Sequence, residues 1–168
     1  YSCMGYEIAG GLGIKMADPE REVYVMVGDG SYLMMAQEIM TSIQEGYKLT
    51  VVLLDNHGHA SIGGLSEATG ADGFGTEFRM RDDGSGQLDG AVVPTDLAAN
   101  AESLGAFVLR PEGREGLIRA LEEARTKDRT TVIAVEVDRE VRVPGYESWW
   151  DVPIAEVSEL ESVREIRK

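Results

Sequence analysis

The chain has 168 residues, enough for one α/β domain with a core of its own, and 43% of them are hydrophobic. Its 30 acidic against 16 basic side chains give a formal charge of −14, which argues against nucleic acid or an anionic membrane surface as a partner. The one cysteine, Cys3, cannot close an internal disulfide, no apolar run reaches about 18 residues and no signal peptide is visible, so a reducing cytoplasm is expected; an opening at Tyr1 rather than Met reads as a piece of something longer.

Residues 1–16, YSCMGYEIAGGLGIKM, read as a helix whose small residues allow close packing. Gly11-x-Gly13 is not a dinucleotide fingerprint, because Met16 holds the third glycine position and no strand precedes it. A turn at Asp18-Pro19-Glu20-Arg21 leads into residues 23–27, a Val-rich run expected to be a strand buried on both faces. After Gly28-Asp29-Gly30-Ser31, residues 32–45 place Leu33, Ala36, Met40 and Ile43 at helical spacing, and Gly46 stops the helix. Residues 49–54 form a second strand.

Strand, helix, strand with short joints is a βαβ unit, whose right-handed crossover sets the strands parallel with both carboxyl ends on one rim. Asp29 and Asn56 therefore meet on the rim where open α/β sheets bind ligands. A carboxylate, a carboxamide oxygen and a nearby backbone carbonyl are hard oxygen donors suited to Mg²⁺ holding phosphate groups. The glycines flanking Asp29 let backbone approach a phosphate closely, and the following helix offers its N-terminus.

Residues 57–90 are glycine-rich and without clear period, which suits a binding loop or a segment ordered only in its full context. His57 and His59 have too few soft partners for a transition-metal site; they are candidates for contacting substrate or moving a proton, beside the plainer reading of surface polar residues. Asp96 can cap a helix that runs through Leu104 and ends at Gly105. Residues 106–109 form a short strand, 114–127 an amphipathic helix with Leu117, Ile118 and Leu121 inward, and 131–137 another strand. Alternating strands and helices predict a doubly wound parallel α/β sheet with helices on both faces over residues 1–140. Residues 141–168 are a tail with Tyr146, Trp149 and Trp150 close together and a charged final helix over 156–168.

The spacing from Gly28-Asp29-Gly30 to Asn56 resembles the GDG to NN diphosphate-binding motif of thiamin-diphosphate (ThDP) enzymes. This resemblance implies ThDP and Mg²⁺ as cofactors, with Asp29, Asn56 and the carbonyl of Gly58 as metal ligands and Gly28, Gly30 and Ser31 near the diphosphate. Met4 and Gly5 match a segment that lies beside the cofactor in that superfamily. The pattern departs at Asp55, where the first Asn of the pair is expected; the metal-binding Asn is the second, so the site is retained.

The run NHGHASIGGLSEATGADGFGTEFRMRD, with DLAANAESLGA, DRTTVIAVEVD and VPGYESWWDVP, looks like one branch of the superfamily, the acylhydrolases that open trihydroxycyclohexane-1,2-diones in inositol catabolism. Over essentially the whole chain this implies the diphosphate-binding, C-terminal domain of a hydrolase acting on a C–C bond of a cyclic diketone. In that branch a glutamate on a separate pyrimidine-binding domain, of the same or a second subunit, activates the cofactor. That domain is absent here and no glutamate of this chain sits in a matching motif, so the chain alone is expected to be inactive, as part of a homo-oligomer. Two alternatives stay open: a decarboxylase or carboligase of the acetolactate-synthase kind, and a cofactor-binding module without catalysis of its own. A Mg²⁺-dependent phosphatase is weaker, because its Asp-x-Asp nucleophile motif is missing.

Overall fold

Four short runs of β-formers pair in parallel, and the computed structural model describes them within residues 3–141 and 153–168. In chain order the elements are α1 (Tyr6–Ala17), β1 (Tyr24–Gly28), α2 (Asp29–Met35), α3 (Glu38–Gln44), β2 (Thr50–Asp55), α4 (Ala60–Ala68), α5 (Leu97–Ser103), β3 (Phe107–Leu109), α6 (Gly113–Arg125), β4 (Thr131–Glu136) and α7 (Glu161–Ile166). The sheet order is β1-β2-β4-β3, every pair parallel, so the chain is α/β as expected. Tyr146, Trp149 and Trp150 lie outside the described residues.

The chain gathers into two compact units, Tyr1–Asn56 with Pro94–Val137, and His57–Val93 with Asp138–Lys168. In the second of these the segment that leaves the sheet after β2 groups with residues that follow β4.

In the first unit, successive strand residues point to opposite faces and register partners share a face. Val25, Val27, Val51, Leu53 and Val132 build one core, filled by Ile8 and Leu12 of α1, Ile39 of α3 and Leu97 and Ala101 of α5. On the other face Ile133 of β4 meets Ala120 and Ala124 of α6. Ile118 is 39% exposed, so the inward row of α6 is the small residues Gly116, Ala120 and Ala124 with Leu117 and Leu121 beside them. Asp96 caps α5 by accepting the Ala99 N–H at 2.8 Å, and Gly105 adopts φ 97° just after it, both as the sequence predicts.

Expectations for the βαβ unit are corrected at the strand and at the helix. The first strand is not buried on both faces: Tyr24 is 47% and Met26 68% exposed. β1 is an edge strand and α6 packs beyond it, over β3 and β4, so among the described residues of this unit no helix covers the row opposite Val25 and Val27. The single helix over 32–45 is two, and the first begins at Asp29; Ile39 and Met40 donate their N–H groups only three residues back, to Ala36 and Gln37, so the ladder tightens and the axis shifts. Tyr32 and Ile39 consequently face the core while Leu33 and Met40 are exposed.

The second unit holds α4 and α7, and its stretch 57–90 is not irregular throughout. α4 escapes sequence reading because two glycines lower its propensity; yet Gly63 is buried where a Cβ would come within 2.9 Å of the Thr76 hydroxyl oxygen. α7 is shorter than the 156–168 helix, held by Ser162 Oγ donating to the Gly70 carbonyl at 2.6 Å and by buried Val163. Among the described residues no helix is long and apolar enough to cross a membrane.

Two packing devices in the first unit are open to test. Gly5 precedes α1 at φ 85°, and a Cβ there would come within 2.9 Å of Met34 Cβ. Gly5→Ala is expected to cost about 2 kcal/mol or more in urea unfolding, since it adds both a strained backbone and a clash with α2. Tyr32 is fully buried, donates to Asn100 Oδ1 at 2.8 Å, and burial pushes its hydroxyl pKa up from 10.0 to about 12. The folded state keeps this proton after the unfolded chain has lost it, so the Tyr32 contribution is complete below pH 10 and fades as pH rises toward 12. Tyr32→Phe should cost about 1 kcal/mol at pH 7 and fall less steeply than the parent across pH 10 to 12 in the same unfolding measurement.

Candidate functional site

The parallel pairing of β1 and β2 puts Gly28 in register with Leu54, so the residues that follow each strand emerge side by side on the carboxyl rim. Asp29 is 1% exposed at the first position of α2. Its Oδ1 accepts the Gly30 N–H at 2.7 Å and its Oδ2 accepts the Asn56 N–H at 3.0 Å. A buried carboxylate with two backbone donors at a helix start is held in one orientation. Asn56 is thereby tied to Asp29 across 27 residues of sequence, and its own Oδ1 is buried with no hydrogen-bond partner.

Gly28 has φ −79°, a value any residue adopts, and a Cβ built on it meets nothing within 4 Å. The fold itself does not require glycine there, and the open space above its backbone is room for another molecule. Ser31 is 9% exposed in the first turn of α2 and makes no side-chain hydrogen bond among the described residues. The structure places Met4, 40% exposed, and Gly5 at the start of α1, with Gly5 against Met34 and Met35 of α2.

Gly58 follows His57, the first residue of the second unit. His57 accepts the Phe78 N–H and His59 donates to the Thr76 carbonyl, so Gly58 pairs with Glu77 in an antiparallel bridge that uses the groups of its neighbours. A Cβ on Gly58 would come within 2.3 Å of the Thr76 carbonyl oxygen, which makes glycine obligatory. His57 has φ 57°, the one positive value outside glycine among the described residues. The His59 ring packs edge-on against Phe78 at 5.4 Å between centroids, with Nδ1 buried and unpartnered.

Sequence reading notes Asp55 only as a departure from the motif and gives it no role. It is 8% exposed and lines a cavity of about 270 Å³ at the carboxyl ends of β2 and β4, with Asp96, Arg110 and Glu136 on the same wall. The departure from the expected Asn at this position was its signal. Arg139 was passed over: its Nη1 lies 3.4 Å from Glu77, which also pairs with Arg79. The two-residue spacing of Glu77 and Arg79, which shares a side in extended chain, was the only hint.

The family model described as "Thiamine pyrophosphate enzyme, C-terminal TPP binding domain" matches residues 1–135. This chain belongs to that family. A 3D-(3,5/4)-trihydroxycyclohexane-1,2-dione hydrolase of Clostridium botulinum is 47% identical over 168 residues, which is 100% of this chain and 26% of the relative. A 3D-(3,5/4)-trihydroxycyclohexane-1,2-dione hydrolase 2 of Bacillus cereus is 46% identical over 164 residues, 98% of this chain and again 26% of the relative. The chain thus spans about a quarter of the length of these curated relatives. Among solved structures, a thiamine diphosphate-dependent 4-hydroxybenzoylformate decarboxylase of Rhodococcus jostii superposes with a TM-score of 0.64 at 22% identity, over 80% of this chain and 23% of that one, and so shares the fold.

The rim of this family member suits thiamin diphosphate on two observations. The buried Asn56 Oδ1 lacks a partner, an arrangement that costs free energy unless a donor or cation meets it. The space above Gly28 admits a group that comes against bare backbone. No set of three or more His, Cys, Asp or Glu gathers into a metal cage among the described residues; the available donors are one carboxylate with amide and carbonyl oxygens, which select a hard cation.

Gly28→Ala separates ligand room from fold. It is expected to leave thermal stability within about 1 kcal/mol of the parent, because its φ tolerates alanine, while weakening ThDP in a calorimetric titration by about tenfold or more.

Proposed function

We propose that this chain supplies the diphosphate- and Mg²⁺-holding part of a ThDP-dependent hydrolase that opens a cyclic 1,2-diketone of inositol catabolism by hydrolytic C–C cleavage. The observation that carries the cofactor half is the orphaned, buried Asn56 Oδ1 beside an Asp29 carboxylate fixed by two N–H donors. The substrate half draws on the names of the hydrolases that match essentially the whole chain.

In this reading Asp29, Asn56 and the Gly58 carbonyl would hold Mg²⁺, Gly28, Gly30 and Ser31 would take the diphosphate, and Met4 and Gly5 would lie beside the cofactor. Bound ThDP supplies a carbon nucleophile for a carbonyl and a store for the electron pair when the adjacent C–C bond breaks. The chain's own work is binding and orientation: Asp29 keeps its geometry through the Gly30 and Asn56 amides, and Gly28 presents backbone without a side chain. His57 and His59 are the residues proposed to contact substrate or move a proton.

A pyrimidine-binding domain, of the same or a second subunit, would contribute the activating glutamate. That this chain spans about a quarter of its relatives supports such a division of labour. The exposed row Tyr24 and Met26, with Tyr6 at 66%, is apolar surface of the kind buried between parts of an assembly. A homo-oligomer in a reducing cytoplasm completes the proposal, with Cys3 as a free thiol.

A calorimetric titration of ThDP with and without Mg²⁺, on the parent, Asp29→Ala and Asn56→Ala, tests the cofactor site. Binding should need the metal and weaken by about 10- to 100-fold in either variant. ThDP binding indifferent to both chelator and Asp29→Ala would overturn the site. On the full-length enzyme, turnover of the cyclic dione with none of pyruvate is expected; the reverse favours the carboligase alternative.

A further inference from the structure

The second unit contains a cavity of about 680 Å³ between residues 72 and 89 that neither the cofactor motif nor the sheet uses. Its size is that of a small-molecule site. Asp72, Phe74, Glu77, Arg79, Gln87 and Asp89 carry its side-chain chemistry. The Arg79 and Glu77 pair is preset: Arg79 Nε donates to Glu77 and Arg79 Nη1 to the Gly90 carbonyl at 3.1 Å, while Arg139 Nη1 lies 3.4 Å from the same carboxylate. Asp72 and Gln87 make no side-chain hydrogen bond among the described residues, and Asp89 uses only Oδ1, toward Ser85 Oγ at 2.7 Å. The wall therefore offers a carboxylate, a carboxamide and a second carboxylate oxygen to a ligand.

Phe74 stands in this polar cavity 63% exposed, between Gly73 at φ 66° and Gly75 at φ 74°, left-handed conformations that project it from a sharp turn. An aromatic face among hydrogen-bonding groups suits a molecule with one C–H face and a rim of hydroxyls. Adjacent hydroxyls can donate together to one carboxylate, and an amide both donates and accepts. Three carboxylates against one already paired arginine work against an anionic ligand. A purely apolar ligand would leave Asp72 and Gln87 desolvated without partners.

We propose that this cavity binds the hydroxyl-bearing ring of a neutral cyclic polyol or polyhydroxyketone, with Phe74 under the ring and Asp72, Gln87 and Asp89 reading its hydroxyls. The inference deepens the substrate reading under the proposed function and rests on it, assigning the recognition of the ring hydroxyls to this segment.

The probe is myo-inositol, a hydroxylated cyclohexane without the diketone, titrated into the whole chain in the absence of ThDP and followed by backbone amide shifts. Saturable shifts confined to residues 72–89 are expected. Asp72→Asn and Phe74→Ala should each weaken binding by about fivefold or more while spectra elsewhere match the parent, since both side chains are exposed. Absence of saturable shifts, equal affinity in both variants, equal binding of glycerol, or a response only to divalent cations would overturn the proposal. The ThDP titration on the same sample keeps the two readings apart: a chain that binds ThDP and Mg²⁺ but no polyol refutes the cavity alone, and one that binds the polyol but no ThDP refutes the cofactor site alone.

Discussion

The hydrogen bond from the Asn56 N–H to the buried carboxylate of Asp29 is the constraint on which the rim of this molecule depends. Parallel pairing aligns β1 with β2 but does not by itself orient the residues that leave them. Asp29 does so from the first turn of α2, where the unpaired N–H groups of a helix start favour a negative charge and relieve its desolvation. One carboxylate thus joins a strand end, a helix start and the next strand end. On the same residue, the side-chain oxygen of Asn56 is buried with no hydrogen-bond partner.

The two units are held by different forces. The first has apolar cores on both faces of its sheet, filled from α1, α3 and α5 on one side and α6 on the other. The second has few buried apolar side chains and relies on polar ties: Glu77 between Arg79 and Arg139, Ser162 on the Gly70 carbonyl, and glycines at 58 and 63 where any side chain would strike residue 76. Apolar burial is non-directional and tolerates substitution within a volume, whereas such ties specify loop shape residue by residue. This contrast follows from composition, since irregular segments carry the polar and turn-forming residues. It gives a physical reason why the segment with the weakest periodicity also holds the larger polar cavity.

The surface is uneven in composition. Tyr6, Tyr24 and Met26 are more exposed than half-buried core residues, in a protein whose net charge is −14. Tyr24 and Met26 lie on edge strand β1, so this apolar row interrupts an otherwise acidic surface at the rim of the sheet.

Much was legible without coordinates because it rests on local, repetitive physics. The βαβ unit follows from two β-rich apolar runs either side of a helical spacing, the Asp96 cap and the Gly105 stop follow from side-chain chemistry at helix ends, and the meeting of Asp29 with Asn56 follows from the handedness of the crossover. Tertiary structure alone decided which face of β1 is covered, that the helix after Asp29 breaks at residues 36–37, and that glycine-rich residues 60–68 are helical. It also decided that Ile118 points outward and that Glu77 draws in an arginine from residue 139. Apart from the helix break, each of these depends on a partner distant in sequence, whose position is set by how whole elements pack, and no window of neighbouring residues contains that information.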